Sequence, residues 1–552
     1  MTTTRPILAV VPFGAKGRDR RAGVIGRQLA RRLVERFADH ADLDVRPVFL
    51  VAMPETKQDA GYLVFGSTPD AALAASYAET LGAAYALTGL YREDDSGRWL
   101  EVTLVGVGDR RAIAEAKMAI AAGELHRAEP ALAAWVASNA GGSAGPRSEA
   151  PELANEPAYL AFLEGLDEEV NATLLRQSDD AASLQARARA FAHFGTAIRG
   201  DPSSDRAEER VVVLAAESVE RGDDERAIAS LEDAIGTKPR SWRTNYVLGE
   251  LLRQRGESSR AIVALEHANS IKPLRDADLL VLAELYVGEQ APGQAASHLR
   301  RVASASEVYG RAQELLGLLA LQKGDSASAR THFERAAGAG HTAARIHLAR
   351  LLIAAGDREG AQAELRRVLD GSADRDSVAQ ARRLRLGLER PDLEMDLERA
   401  GRAALAQSAV AVDEHRAALE RVLAFDAELW EAHFGIGLLE RRRESFGAAA
   451  EAFRRAFALA GEQPDVMHEL GVALLSLGTK TEALELLDRA AALRPADPAY
   501  LADAGFAHLR AGDLGAARER LSLASTIDGE DPLTRAYLAE LERAERASGP
   551  AN

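Results

Sequence analysis

The stretch WEAHFGIGLLERRRESFGAAAEAFRRAFALAGEQ, residues 430–463, decides the fold, because its pattern returns at residues 464 and 498, each time after 34 residues. The eighth place of the three copies holds Gly437, Gly471 and Gly505, and the twentieth Ala449, Ala483 and Ala517. Phe453, Leu487 and Leu521 stand twenty-fourth, and Ala456, Ala490 and Ala524 twenty-seventh. The same frame occurs upstream with Gly249, Ala261, Leu265 and Ala268, and again with Gly317, Ala329, Phe333 and Ala336. Each copy reads as two helices. The glycine and first alanine mark the closest approach of the two backbones, the Phe or Leu fills the space between them, and the last alanine admits the next copy. Pro239, Pro273 and Pro495 stop the second helix, since proline cannot continue its hydrogen-bond ladder. A lone pair of such helices cannot bury its apolar side, so neighbouring copies must stack.

This pattern resembles the tetratricopeptide repeat family. Units start at about 208, 242, 276, 310, 342, 396, 430, 464 and 498, and an elongated one at 159–202 keeps Ala190, Phe194 and Ala197 in frame. The expectation is an all-α superhelix of about ten repeats over 158–531, with a capping helix and tail at 532–552. The frame slips near Gly340, and residues 371–395 are expected to add one irregular helix. Asn245, His433 and Met467 stand where such units often carry a bulky aromatic. The resemblance implies that a concave groove lined by the first helices holds a protein or peptide partner. Its lining residues are then Tyr246, Glu250, Leu280, Glu284, Phe434, Leu438, Arg441, Val472, Leu475, Phe506 and Leu509, with Arg442 and Arg510 alongside. An amphipathic helix or an extended apolar segment with acidic flanks suits such a lining. Family members that clasp a C-terminal carboxylate use asparagine with a nearby lysine, a pair that these positions lack.

Residues 138–157, SNAGGSAGPRSEAPELANEP, hold small and polar residues and three prolines, and read as a flexible linker. Before it the pattern changes. Residues 7–13 and 45–51 read as strands, 23–40 and 69–81 as helices (the second with Thr68 as N-cap), and 84–91, 99–107 and 112–120 as strands. Gly108, Asp109 and Arg110 suit a hairpin turn, and 124–138 closes the region as a helix. The prediction is a small α/β domain of mixed sheet over 1–137. Its ILAVVPFG at the start, LGAAYALTGLY at 81–91 and WLEVTLVGVGDRR hairpin resemble the TolB N-terminal-like domain. That resemblance implies binding and assembly, so the domain is expected to be a second docking or oligomerisation module, and a homo-oligomer is a further expectation.

The opening loop VVPFGAKGRDRRAGVIG, residues 10–26, suggests a phosphate cradle, but its glycines miss both nucleotide spacings and no Ser or Thr follows Lys16. It reads as a basic turn. Lys16, Arg18, Arg20 and Arg21 beside a helix N-terminus remain candidates for an anion or an acidic partner, including the acidic repeats themselves. The alternative function is therefore a regulator whose first domain senses a nucleotide or a phosphorylated small molecule. Arg27, Arg31, Arg32 and Arg36, without interleaved aromatics, read as a solvated flank rather than a nucleic-acid site. The net charge of −16 falls almost wholly after residue 140, which also argues against nucleic acid.

The chain of 552 residues has no cysteine, which excludes disulfides, thiolate metal sites and cysteine nucleophiles. No histidine pair has helical i, i+4 spacing; His341 and His347, six apart, are assigned to different faces, so no metal site and no cofactor are expected. Ser297 and His298 are neighbours on a repeat helix, and no catalytic residues are expected. The apolar run at 7–13 is too short to span a bilayer, and the chain reads as cytoplasmic and without membrane insertion.

Overall fold

The computed structural model describes residues 5–17, 20–38, 40–48, 51–52, 61–62, 69–140, 150–176, 179–371, 374–406 and 411–548. Two compact units divide it, Met1–Ala291 and Pro292–Asn552. Arg18, Thr68 and residues 141–149 of the expected linker lie outside the described residues.

The first unit opens with β1 (Ile7–Val10), β2 (Gly14–Lys16), α1 (Arg20–Arg36), β3 (Asp44–Pro47), β4 (Val51–Ala52), β5 (Gly61–Tyr62) and α2 (Ala71–Glu79). The long strands β6 (Tyr85–Asp94), β7 (Gly97–Gly106) and β8 (Arg111–Ile120) and the helix α3 (Ala128–Asn139) follow. Sheet order is β3-β1-β6-β7-β8, parallel among the first three and antiparallel thereafter; β4 and β5 form a separate pair. Period-2 alternation fixes the two faces. Leu8 and Val10 join a core with Leu29, Leu33 and Phe37 of α1, whereas Ala9 and Val11 join another with Ala74, Ala75 and Ala78 of α2. Asp70 caps α2 by accepting a hydrogen bond from the Leu73 N–H at 2.8 Å. Arg110 takes the left-handed conformation (φ 56°) that closes the β7–β8 turn. The opening loop departs from the turn expected of it. Gly14–Lys16 continues as β2, parallel to β6.

Helical pairs occupy the remainder. The first is α4 (Glu156–Leu175) with α5 (Asp180–Gly200), followed by α6 (Arg206–Val219), α7 (Asp224–Thr237) and α8 (Trp242–Gln254). Asn155 and Asp179 cap α4 and α5 through their side-chain oxygens. The core of the sheet's α1 face runs on without a break into α4 and α5 through Tyr159, Phe162 and Phe194.

In the second unit, helices begin at Tyr309, Thr342, Pro391, Trp430, Pro464 and Pro498, close to the starts read from the frame, each followed by a partner helix. Residues Arg375–Glu389 form the additional helix, and Pro532–Ser548 the last one. The small residues act as the spacing implies. A Cβ added at Gly317 would lie 2.4 Å from the Phe333 ring, and one at Gly437 2.5 Å from Phe453. Ala329, Ala449 and Ala483 are fully buried. The positions lacking an aromatic have found other uses: Asn245 donates to the carbonyls of Pro239 (3.1 Å) and Ser241 (2.7 Å), and the His433 Nε2 sits 2.9 Å from the carbonyl of Ala427. Among the described residues no helix is long and apolar enough to cross a membrane.

Candidate partner-binding surfaces

The first-helix face of the second unit carries the apolar candidates. Phe434, Val472, Leu475 and Phe506 are half-buried and packed against the core, while Leu438 and Leu509 are buried. The Phe434 ring tilts against Phe453 at 5.7 Å and Trp430 at 6.2 Å. Phe506 is stacked by Tyr537 of the last helix at 4.2 Å, with Arg510 5.9 Å from its ring. Polar groups run beside this strip. Arg441 pairs with Glu469 at 2.6 Å, and the His468 Nε2 meets Asp503 at 2.8 Å, which also accepts from the Tyr537 hydroxyl at 3.1 Å. Burial raises the pKa of Glu469, only partly offset by Arg441 and His468.

The candidates of the first unit are more polar. The Tyr246 hydroxyl donates to Asp278 (2.9 Å), Glu250 pairs with Arg253 (3.0 Å), Leu280 is buried and Glu284 is exposed. Lys16 at the end of β2 and Arg20 and Arg21 at the start of α1 are exposed, and the Arg21 Nε lies 3.0 Å from Glu164 of α4.

The arginine row on α1 requires a correction. It is no solvated flank: Arg32 and Arg36 are 3% and 5% exposed. Both face Glu129 of α3, itself 1% exposed; the Arg36 Nε is 3.0 Å from one carboxylate oxygen, and the Tyr159 hydroxyl donates to the other at 2.8 Å. Arg32 also pairs with Glu35 and Glu152, and Arg27 grips Asp167 of α4 through two hydrogen bonds of 2.7 and 3.1 Å. Burial alone would lower the pKa of Arg32, but Glu129, Glu35 and Glu152 outweigh it and hold the guanidinium firmly charged. Burial, then Glu129, pushes the Tyr159 hydroxyl well above its ordinary range. Farther along, Arg98 of β7 holds Glu156, the first residue of α4, at 2.6 and 3.0 Å. The acidic face of the first repeat is thus docked on the basic face of α1. Glu129, Glu152 and Asp167 were not singled out in the sequence. One signal was present: on a helical wheel Arg36 falls inside the arc of Ile25, Leu29 and Leu33, which a solvated residue would avoid.

A second correction concerns histidine. His341 and His347 do share a partner, since their Nε2 atoms lie 2.9 and 3.5 Å from the two oxygens of Glu314. His341 precedes its helix as the N-cap, so helical spacing does not govern where its side chain goes. Arg311 adds a third contact to Glu314 at 2.6 Å. Burial opposes the charge of Glu314, but these three partners outweigh it and its pKa is lowered. Among the described residues no group of three or more histidine or acidic side chains is arranged to hold a metal ion.

Residues 213–268, 280–344 and 434–498 match a family model described as tetratricopeptide repeat, and residues 320–384 match a second of the same description. The chain is similar to a crystal structure of MamA at 20% identity, over 32% of this chain and 96% of that one, with a TM-score of 0.24. It is similar to a structure of Naa15/Naa10 bound to HypK-THB at 15% identity, over 70% and 66% of the two chains, with a TM-score of 0.31. A tetratricopeptide repeat protein from Parabacteroides merdae aligns at 12% identity over 60% and 98%, with a TM-score of 0.22. No curated protein sequence matches the chain.

Proposed function

Because the matched segments are tetratricopeptide repeats, we propose that this chain is a non-enzymatic cytoplasmic scaffold that holds a protein or peptide partner along its first-helix face. The observation that carries the reading is the half-buried apolar strip Phe434, Val472, Leu475 and Phe506, spread over three successive repeats. An apolar strip running across three parallel first helices suits the apolar face of a bound amphipathic helix. The α/β domain, which resembles the TolB N-terminal-like domain, serves as a second docking or oligomerisation module, rigidly presented by its ionic junction with α4.

The test is affinity capture of partners from a native extract, comparing the full chain with a double variant, Phe434→Ala with Phe506→Glu. The expected result is loss of the specifically captured proteins at a temperature where the helical circular dichroism of the variant shows that it is still folded. Capture of the same set by both chains removes the strip from the binding surface.

A further inference from the structure

We propose that β8 is a dimerisation edge, pairing antiparallel with β8 of a second copy of this chain about a two-fold axis through Ala116. The inference rests on reading the α/β domain as a docking or oligomerisation module, and it gives that module a face and a partner.

The sheet ends differently on its two sides. β3 is four residues long and closes on Pro47, which has no N–H to offer a further strand. β8 is ten residues long, RAIAEAKMAI, without proline or glycine, and among the described residues it pairs only with β7. Its outer row of backbone N–H and C=O groups is a template for one more strand. Little covers that row: Ala112, Ile113, Glu115, Lys117 and Ala119 are all exposed.

The side chains select both the occupant and the register. Ala114, Ala116 and Met118 lie partly buried on the side of the core, and Glu115 and Lys117 stand on the other side. A two-fold axis perpendicular to the sheet keeps the two sides distinct. With that axis at Ala116, Glu115 faces Lys117 of the second copy and Lys117 faces its Glu115. On the core side Met118 faces the small Ala114 of the second copy, and the two Ala116 residues face each other. Moving the axis to Glu115 or to Lys117 sets like charges directly opposite, which is unfavourable. Neither charge is committed elsewhere. Glu115 has no ion pair among the described residues. Lys117 is 61% exposed, 3.8 Å from Glu101 and 4.1 Å above the Trp99 ring. Ile113, which the β7 ladder skips as a bulge, bounds the regular strand; it is 51% exposed and comes beside the small Ala119 of the second copy. A ladder this short buries little area, so the association is reversible.

Sedimentation velocity of the full chain over roughly 1–100 µM is expected to show exchange between monomer and dimer. Glu115→Lys sets lysine opposite lysine at both symmetric pairs and should weaken the dimer at least tenfold. The swap Glu115→Lys with Lys117→Glu should restore it. Both positions are exposed, so circular dichroism should show the variants folded. The chain has no cysteine, so Ala116→Cys supplies its only thiol. Facing Cα atoms of an antiparallel pair lie within disulfide reach, and oxidation by copper phenanthroline should link two copies there. Ala114→Cys, which faces Met118, should stay unlinked. A chain monomeric throughout, a dimer indifferent to Glu115→Lys, or a swap that fails to restore association overturns the proposal. The module reading fails separately. A monomeric chain whose proteins captured from a native extract change with Glu115→Lys keeps the module, with a strand of another protein on β8; unchanged capture leaves the domain without a docking role at this edge.

Discussion

Where α4 meets α1 and α3, the contact is made by ions and hydroxyls: Arg36, Arg32 and Tyr159 converge on the buried carboxylate of Glu129. Within a repeat of the second unit the contact is made by shape, with Gly317 offering a hollow to the fully buried Phe333. The two solutions fail differently. Shape tolerates a partial misfit because neighbours shift a little. A buried ion left without its counter-charge has nowhere to relax. Specificity differs as well, since the glycine, alanine and Phe or Leu positions recur from repeat to repeat, whereas along α4 Glu156 meets Arg98, Asp167 meets Arg27 and the Tyr159 hydroxyl donates to Glu129, partners found in this one domain. The junction therefore defines which helix pair begins the array.

Breaking the ionic side should have the largest effect. Glu129→Gln keeps the volume but removes the charge facing Arg36 and Arg32, and should destabilise the first unit by about 3 kcal/mol. Urea unfolding followed by the fluorescence of Trp99 and Trp135 measures it; a loss below about 1 kcal/mol would mean that the remaining partners of the two arginines suffice. The shape side should give less. Gly317→Ala forces a Cβ to within 2.4 Å of a buried ring, an overpacking cost of about 1–3 kcal/mol reduced by about 1 kcal/mol of helix propensity. Gly401→Ala provides the contrast. Nothing lies within 4 Å of its added Cβ, so propensity acts alone and should stabilise by roughly 0.5–1 kcal/mol. Opposite signs at these two helical glycines would tie the frame to packing rather than to composition; equal signs would break that link.

This contrast also explains what could be read from the sequence. Repeat packing is periodic, so Gly437, Ala449 and Phe453 announce themselves by recurring, and the helix starts follow. Ion pairs such as Arg36 with Glu129 or Arg27 with Asp167 join residues far apart in the chain and recur nowhere, so no spacing betrays them. The same holds for Glu314, whose histidine partners come from outside and inside one helix. For the partner surface, periodicity places Phe506 on a first helix and Tyr537 on the apolar face of the capping helix, but it does not show that the Tyr537 ring stacks on that of Phe506.

The smallest effect sharpens the comparison by finding an ionic contact inside the region of shape. His468 lies between the Tyr500 ring, stacked at 4.4 Å, and Asp503, whose carboxylate is 2.8 Å from Nε2. Burial opposes its charge, but the hydrogen bond and attraction of Asp503, followed by Glu469, outweigh burial and raise its pKa above the ordinary value. A raised pKa in the folded state means that the protonated ring favours folding. That contribution is fully present below the unfolded-state pKa of about 6.5 and disappears as pH rises through the folded-state value. His468→Gln retains a donor for Asp503 without titrating, so the variant should lose less stability than the parent chain between pH 6 and pH 8. The other histidines are common to both proteins, so the difference between the two slopes reports this ring together with Glu469, which it faces, and parallel slopes would place its proton elsewhere.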